Sequence, residues 1–210
     1  MTETKRYSRT AYLTRLAVLL AIVIVLTVFN IGNIPIGPIV ATIYQVPVII
    51  GAVMLGVKAG AFLGGMWGLL CFFLAATGQT TDIVALATVQ QNIFLYFVIA
   101  FVPRLLTGLL SGLLFRGLDM IFRDRLNVIS FAVTGAIGSL FNTVLYLGSL
   151  YIFIRALLAE LYEIEIGAVG AMVLGVALSN GLIEAAVSCV IVGAVCKALS
   201  HVRGARMTKR

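Results

Sequence analysis

The sequence predicts an all-α, polytopic membrane protein of six transmembrane helices with both termini in the cytoplasm. Of its 210 residues, 61% are apolar and only 11% are charged, and the mean hydropathy is +1.13. Soluble domains carry about 25% charged residues, which they need to cover their surface. A span takes about 20 residues, so residues 1–210 have room for a single domain of six spans with short connectors.

Polar and charged connectors separate six apolar runs. The first, 12–29, follows a basic leader and is not succeeded by a small-x-small cleavage site, so we interpret it as a retained span and not as a signal peptide. The other predicted spans are 42–56, 59–76, 92–115, 127–154 and 167–196.

Asparagine, glycine and proline punctuate the connector between the first two predicted spans. These residue types predict an ordered, non-helical loop from Asn30 to Pro38. The loop lies over the outer mouth of the predicted bundle, where it is suited to act as a lid, with Asn30, Asn33 and Pro35 as its candidate residues.

The basic residues predict the orientation. With six spans, every Lys and Arg except Arg104 and Arg155 falls at the termini or in the second and fourth connectors, which makes thirteen of fifteen on one side. Basic residues mark the cytoplasmic side of membrane proteins. The net charge of +7 is explained in this way, and we expect no nucleic-acid partner.

Polar residues interrupt three of the apolar runs near their centres. Arg104 lies in the middle of the predicted fourth span, Asn142 in that of the fifth, and Asn180 in that of the sixth, with Glu184 one helical turn further on. A charged residue at the centre of a spanning helix costs about 2.5–3.5 kcal/mol on insertion scales. These side chains are therefore expected to face one another or a wet cavity.

Two interpretations of this polar layer remain open. In the first, the layer lines a small cavity for an organic solute, with Arg104 as counter-ion to a carboxylate and Asn142 and Asn180 as partners for amide and hydroxyl groups. In the second, Arg104 and Glu184 form a buried ion pair that only fixes the bundle. A second polar group is predicted at the outer mouth, where Tyr44, Gln91 and Asn92 are further candidates for substrate contact.

The sequence excludes several kinds of catalysis. A phosphate-binding loop has Gly immediately before its Lys, whereas the four lysines follow Thr, Val, Cys and Thr. The single histidine, His201, lies in the tail, and the three cysteines stand alone in apolar runs. We predict no enzyme, no catalytic residues, no metal site and no cofactor.

Several segments, taken together and in chain order, are typical of one transporter family. They are Ala17-x-x-x-Ala21, Ala41–Gly64, Val102–Gly108, Gly138–Thr143 and Ser179–Glu184. On these segments the chain resembles the S components, or substrate-binding subunits, of energy-coupling factor (ECF) vitamin transporters. Among them it is most similar to the pantothenate type.

The resemblance implies a six-helix S component in the plasma membrane of a prokaryote. It implies capture of a vitamin, pantothenate for this type, under a lid formed by the loop after the first span. It also implies a partner module of one transmembrane coupling protein and two ATPases, which Ala17 and Ala21 contact. The alternatives are the same role for another vitamin or precursor, such as folate or a pyrimidine precursor, and a non-transporting membrane scaffold or assembly factor.

Overall fold

The computed structural model describes residues 9–36, 39–122 and 127–207, most of which are helical. The elements, in chain order, are α1 (Arg9–Val28), β1 (Asn33–Ile36), β2 (Ile39–Thr42), α2 (Gln45–Leu55), α3 (Val57–Ala76), α4 (Ile83–Gln91), α5 (Ile93–Phe122), α6 (Asn127–Leu161), a short 3₁₀ turn (Ile166–Ala168) and α7 (Val169–Met207).

Five segments of the described chain are helical, long and apolar enough to cross a membrane, where the sequence predicted six. They are Arg9–Val28, Val57–Ala76, Ile93–Ile121, Val128–Leu161 and Ile166–Ser200. The predicted second span, 42–56, is instead the short helix α2. The protein is therefore a multi-pass, mainly helical membrane protein whose second apolar run is built differently from the others.

The second apolar run combines a hairpin with a short helix. An α-helix rises about 1.5 Å per residue, so the eleven residues of α2 cover about 17 Å of a hydrocarbon core about 30 Å thick. Strands β1 and β2 pair antiparallel just before it, with Asn33 opposite Thr42. Tyr44 at the start of α2 stacks on Trp67, near the middle of α3. Helix α2 thus begins half-way along α3, and the hairpin precedes it.

Glycines set the packing of the bundle. Helix α2 ends at Gly56, whose φ of 101° allows α3 to start at the next residue. Helices α3 and α5 then run antiparallel in close contact, because a Cβ on Gly68 would lie 2.8 Å from the carbonyl oxygen of Ala100, and one on Gly64 would overlap the Arg104 carbonyl. This close approach places the backbone of α5 against α3 at the level of Arg104.

Helix α4 was not predicted. The sequence suggested that span four would begin at 92, but a nine-residue helix precedes it, capped by Asp82, whose carboxylate accepts a hydrogen bond from Ala85 N at 3.1 Å. Nine residues are too few to show a clear helical period. Helices α5, α6 and α7 also continue beyond the predicted spans.

Candidate binding cavity

A cavity of about 350 Å³ lies where the hairpin, α1, α3, α5 and α6 meet. It falls within the range of about 300–1,000 Å³ typical of small-molecule sites. Its wall is mixed, with amides, hydroxyls and one residue of each charge among aromatic rings. The lining residues are Thr27, Asn30, Asn33, Thr42, Tyr44, Trp67, Cys71, Leu74, Thr80, Thr81, Asp82, Tyr96, Arg104, Asn142 and Tyr146.

Arg104 is held in this wall by two aromatic rings. Its guanidinium carbon lies 4.9 Å from the ring centre of Trp67 and 4.8 Å from that of Tyr146. One terminal nitrogen donates to the carbonyl oxygen of Ala100, one turn earlier in α5, at 2.8 Å. The rings and this carbonyl hold the cation within the bundle, and no carboxylate of the described residues pairs with it.

Two polar atoms in the cavity wall are buried without a hydrogen-bond partner in the described part of the chain. They are Nε of Arg104, which is a donor, and Oδ1 of Asn142, which is an acceptor. A buried group in this state carries its full desolvation cost of about 1–3 kcal/mol. A ligand that accepts from Arg104 and donates to Asn142 would remove that cost.

Asn30 links the parts of the cavity mouth. Its Oδ1 accepts from the Tyr44 hydroxyl at 2.6 Å and from Nδ2 of Asn33 at 3.0 Å, and its own Nδ2 donates to Thr81 Oγ1 at 3.4 Å. Its φ of 54° is in the left-handed region, which asparagine adopts more readily than most residues. One amide thus joins the end of α1, the hairpin, α2 and the loop before α4.

The second charge in the wall is Asp82. One of its oxygens caps α4, and the other accepts a hydrogen bond from the Tyr146 hydroxyl at 3.4 Å. Tyr146 therefore touches the cation with its ring and the carboxylate with its hydroxyl. The cavity can offer a cation to an acidic group and a carboxylate to a hydroxyl or amide donor.

The structure brings together some of the predicted site residues. Arg104, Asn142, Tyr44, Asn30 and Asn33 line the same cavity. Pro35 lies in β1, in the register position opposite Val40.

The other predicted residues do not line this cavity. Glu184 accepts hydrogen bonds from the amide and hydroxyl of Thr42 and is not paired with Arg104. Asn180 accepts a 3.4 Å bond from the neighbouring Ser179 hydroxyl. Gln91 is the exposed last residue of α4, and Asn92 caps the start of α5 through Leu95 N at 3.1 Å.

Several lining residues are not predictable from the sequence as parts of a binding site. Trp67, Tyr96 and Tyr146 sit in apolar runs, where aromatic residues are expected for packing alone. Asp82 falls in a polar connector. A signal existed for Tyr146, because it lies one helical turn after Asn142 on the same face of α6.

Comparison with known proteins identifies the family. Residues 11–196 match the family described as ECF transporter, substrate-specific component. The chain belongs to this family. The ECF substrate-specific component is a substrate-binding subunit of a transporter and not an enzyme.

Two relatives carry names that specify a substrate. A pantothenic acid transporter of Lactococcus lactis subsp. cremoris is 30% identical over 199 residues, which cover 90% of this chain and 93% of the relative. A pantothenate transporter of Leuconostoc mesenteroides subsp. mesenteroides is 33% identical over 146 residues, which cover 65% of this chain and 66% of the relative.

Proposed function

We propose that this ECF substrate-specific component captures pantothenate at the outer face of a prokaryotic plasma membrane for an ATP-driven importer. The observation that carries the proposal is the pair of unpartnered buried atoms in the cavity, Nε of Arg104 and Oδ1 of Asn142. One small molecule that carries both an acceptor, best an anionic one beside a guanidinium, and a donor would satisfy both atoms. The names of the two relatives support the same ligand.

The chemistry of pantothenate matches the cavity wall. The molecule has one carboxylate, one amide and two hydroxyls on a small aliphatic frame. In our proposal the carboxylate binds the guanidinium of Arg104, and the amide N–H or a hydroxyl donates to Asn142. The remaining hydroxyl reaches Asp82 or the Asn30 amide at the cavity mouth, and the rings of Trp67 and Tyr146 contact the aliphatic part.

The same proposal includes the orientation in the membrane. The hairpin and α2 together serve as the sixth crossing, so both termini lie in the cytoplasm, as the distribution of basic residues predicts. The cavity then opens to the outside, and the segment after α1, with Asn30, Asn33 and Pro35, forms its lid. The last two residues of the predicted loop, Gly37 and Pro38, lie outside the described residues. Fluorescent-protein fusions at both termini test this orientation, because five crossings would place one fusion outside, where it stays dark.

Helix α1 is the proposed contact with an ECF module of one coupling protein and two ATPases. Ala17 and Ala21 are exposed and lie one turn apart on α1. Small residues at this spacing allow a second helix to approach closely. Exposed apolar residues surround them on the same helix, namely Leu13, Val18, Ile24, Val25 and Val28.

Calorimetry with two ligands tests the assignment. Panthenol is pantothenate with its carboxylate replaced by a hydroxymethyl group. The purified wild-type protein should bind pantothenate at least about 30-fold more tightly than panthenol, because truncating one partner of a buried, hydrogen-bonded charge pair costs about 2–5 kcal/mol. In Arg104→Met the two ligands should bind with equal affinity.

Other outcomes would contradict defined parts of the proposal. If Arg104→Met still prefers pantothenate, the carboxylate binds elsewhere. If folate or a pyrimidine precursor binds and pantothenate does not, the substrate is wrong. If no vitamin or precursor stabilises the protein against heat, a scaffold role is favoured, since a bound ligand at a hundredfold excess over Kd adds about 2.7 kcal/mol.

A further inference from the structure

Glu184 is an acidic side chain on α7 that is only 7% exposed and lies outside the cavity wall. Its Oε1 accepts two hydrogen bonds from Thr42, one from the backbone N–H at 3.0 Å and one from the hydroxyl at 2.7 Å. The two residues are 142 positions apart in the chain. Glu184 therefore joins α7 to the end of the hairpin.

Thr42 belongs both to the hairpin and to the cavity wall. It is the last residue of β2, it pairs with Asn33 of β1, and it lines the cavity. Any displacement of Thr42 moves the second strand and one part of the cavity wall together.

The carbonyl of Thr42 is held as well. Nε2 of Gln45 donates to it at 3.1 Å and contacts the Ser139 hydroxyl on α6 at 3.0 Å. Gln45 is fully buried. All three polar groups of Thr42 are thus bound by side chains from α7 and α2. Gln45 in turn links Thr42 to α6 through Ser139.

Thr42 and Asn33 lie opposite each other at the open base of the hairpin, and the two sides of this base are held differently. On the β2 side, Thr42 is tied into the bundle by its bonds to Glu184 and Gln45, whose side chains are 7% and 0% exposed. On the β1 side, Asn33 is joined to Asn30, and Asn30 to Thr81, by bonds among exposed amides and a hydroxyl. Exposed bonds open at lower free energy than buried ones.

We propose that Glu184 is a positioning residue for the binding site. It fixes the β2 side of the hairpin base through Thr42, so that this part of the cavity wall keeps its shape while the more exposed β1 side can move. This inference rests on the proposed function of the cavity, and it assigns to Glu184 a role other than direct contact with the substrate.

The native residue Cys71 provides a ligand-independent test. It is partly buried and lines the cavity. In a Cys189→Ala/Cys196→Ala background, the rate at which a charged methanethiosulfonate reagent modifies Cys71 measures access to the cavity. The full chain is used in lipid nanodiscs without ligand.

Glu184→Met keeps the side-chain volume and removes both acceptor bonds. We expect it to raise the modification rate of Cys71 about tenfold, because two hydrogen bonds are lost and their combined net contribution to stability corresponds to about a factor of ten. Glu184→Gln retains an acceptor oxygen and should restore most of the protection. Ser179→Ala, a polar deletion on the same helix away from the hairpin, should leave the rate unchanged.

Thr42→Val serves as a second variant if Glu184→Met does not fold. It loses the hydroxyl bond, keeps the backbone bond, and should give an intermediate rate. Unchanged rates in both Glu184→Met and Thr42→Val would overturn the proposal. So would a Glu184→Met protein that loses pantothenate affinity while Cys71 stays protected, because Glu184 would then contact the ligand. A raised rate in a protein that binds no pantothenate would support the positioning role and reject the proposed substrate.

Discussion

At the scale of single residues, the cavity is defined by polar atoms that the bundle leaves without partners. Oδ1 of Asn142 is buried on α6 and accepts no hydrogen bond from the described residues. Its desolvation cost is already present in the ligand-free protein. Asn142 therefore lowers the stability of the ligand-free fold, and its side-chain oxygen is available to accept a hydrogen bond from a ligand.

Replacing Asn142 should separate affinity from stability. Asn142→Ala should weaken pantothenate binding about tenfold, equivalent to about 1.4 kcal/mol, and leave the unfolding free energy unchanged or slightly higher. Calorimetry and thermal unfolding measure the two effects. Asn180→Ala is the matched control, because Asn180 lies outside the cavity and its loss should not change Kd. Equal losses of affinity in both variants would contradict the placement of Asn142.

The sequence predicts the residues of this site unevenly. Arg104 and Asn142 stand out because a polar side chain within a membrane span costs insertion free energy and is usually kept for a function. Asn180 and Glu184 interrupt an apolar run in the same way, yet they do not line the cavity. The position of a residue along a helix does not determine which neighbour its side chain faces. Trp67 gives no signal, because a tryptophan in a spanning helix fits packing as well as binding.

At the scale of elements, the hairpin and α2 differ most from the sequence prediction. Hydropathy counts apolar residues and does not distinguish a half-length helix preceded by strands from a full span. Two strands can lie at this depth only because their free backbone groups find partners inside the protein, as the amide and carbonyl of Thr42 do.

The α3–α5 contact places Arg104, and a single methyl group should test it. A Cβ on Gly64 would overlap the backbone of Arg104, whereas one on Gly148 of α6 would meet nothing within 4 Å. Gly64→Ala should therefore destabilise the protein by about 1–3 kcal/mol and weaken pantothenate binding. Gly148→Ala should be neutral or stabilising by up to about 1 kcal/mol. Indistinguishable thermal unfolding of the two variants would argue against the close contact.

At the scale of the whole molecule, α1 is the least enclosed of the long helices. It packs on α2 and α3 through one side, with Val23 fully buried, and leaves the side with Ala17 and Ala21 uncovered. A helix with an open apolar side suits both a lipid surrounding and a second membrane protein. The small size of Ala17 and Ala21 favours a second membrane protein, because a lipid-facing side accepts large side chains whereas close helix packing requires small ones.

Ala17→Leu and Ala21→Leu should therefore leave pantothenate binding intact and abolish uptake with the ECF module. Co-purification with the coupling protein and uptake of labelled pantothenate by cells that express all subunits measure the effect. Ala171→Leu, an exposed alanine on α7, is the matched control and should transport normally. Normal uptake by both α1 variants would move the docking surface to another helix.

The stacking of Arg104 against Trp67 has an optical consequence. Trp67 is the chain's one tryptophan, so light absorbed by indole is emitted from a single place, beside the cation. A ligand anion that draws the guanidinium away from the ring changes the electric field on that chromophore. The molecule thus carries a built-in fluorophore whose emission, without any added dye, reports the occupancy of its cavity.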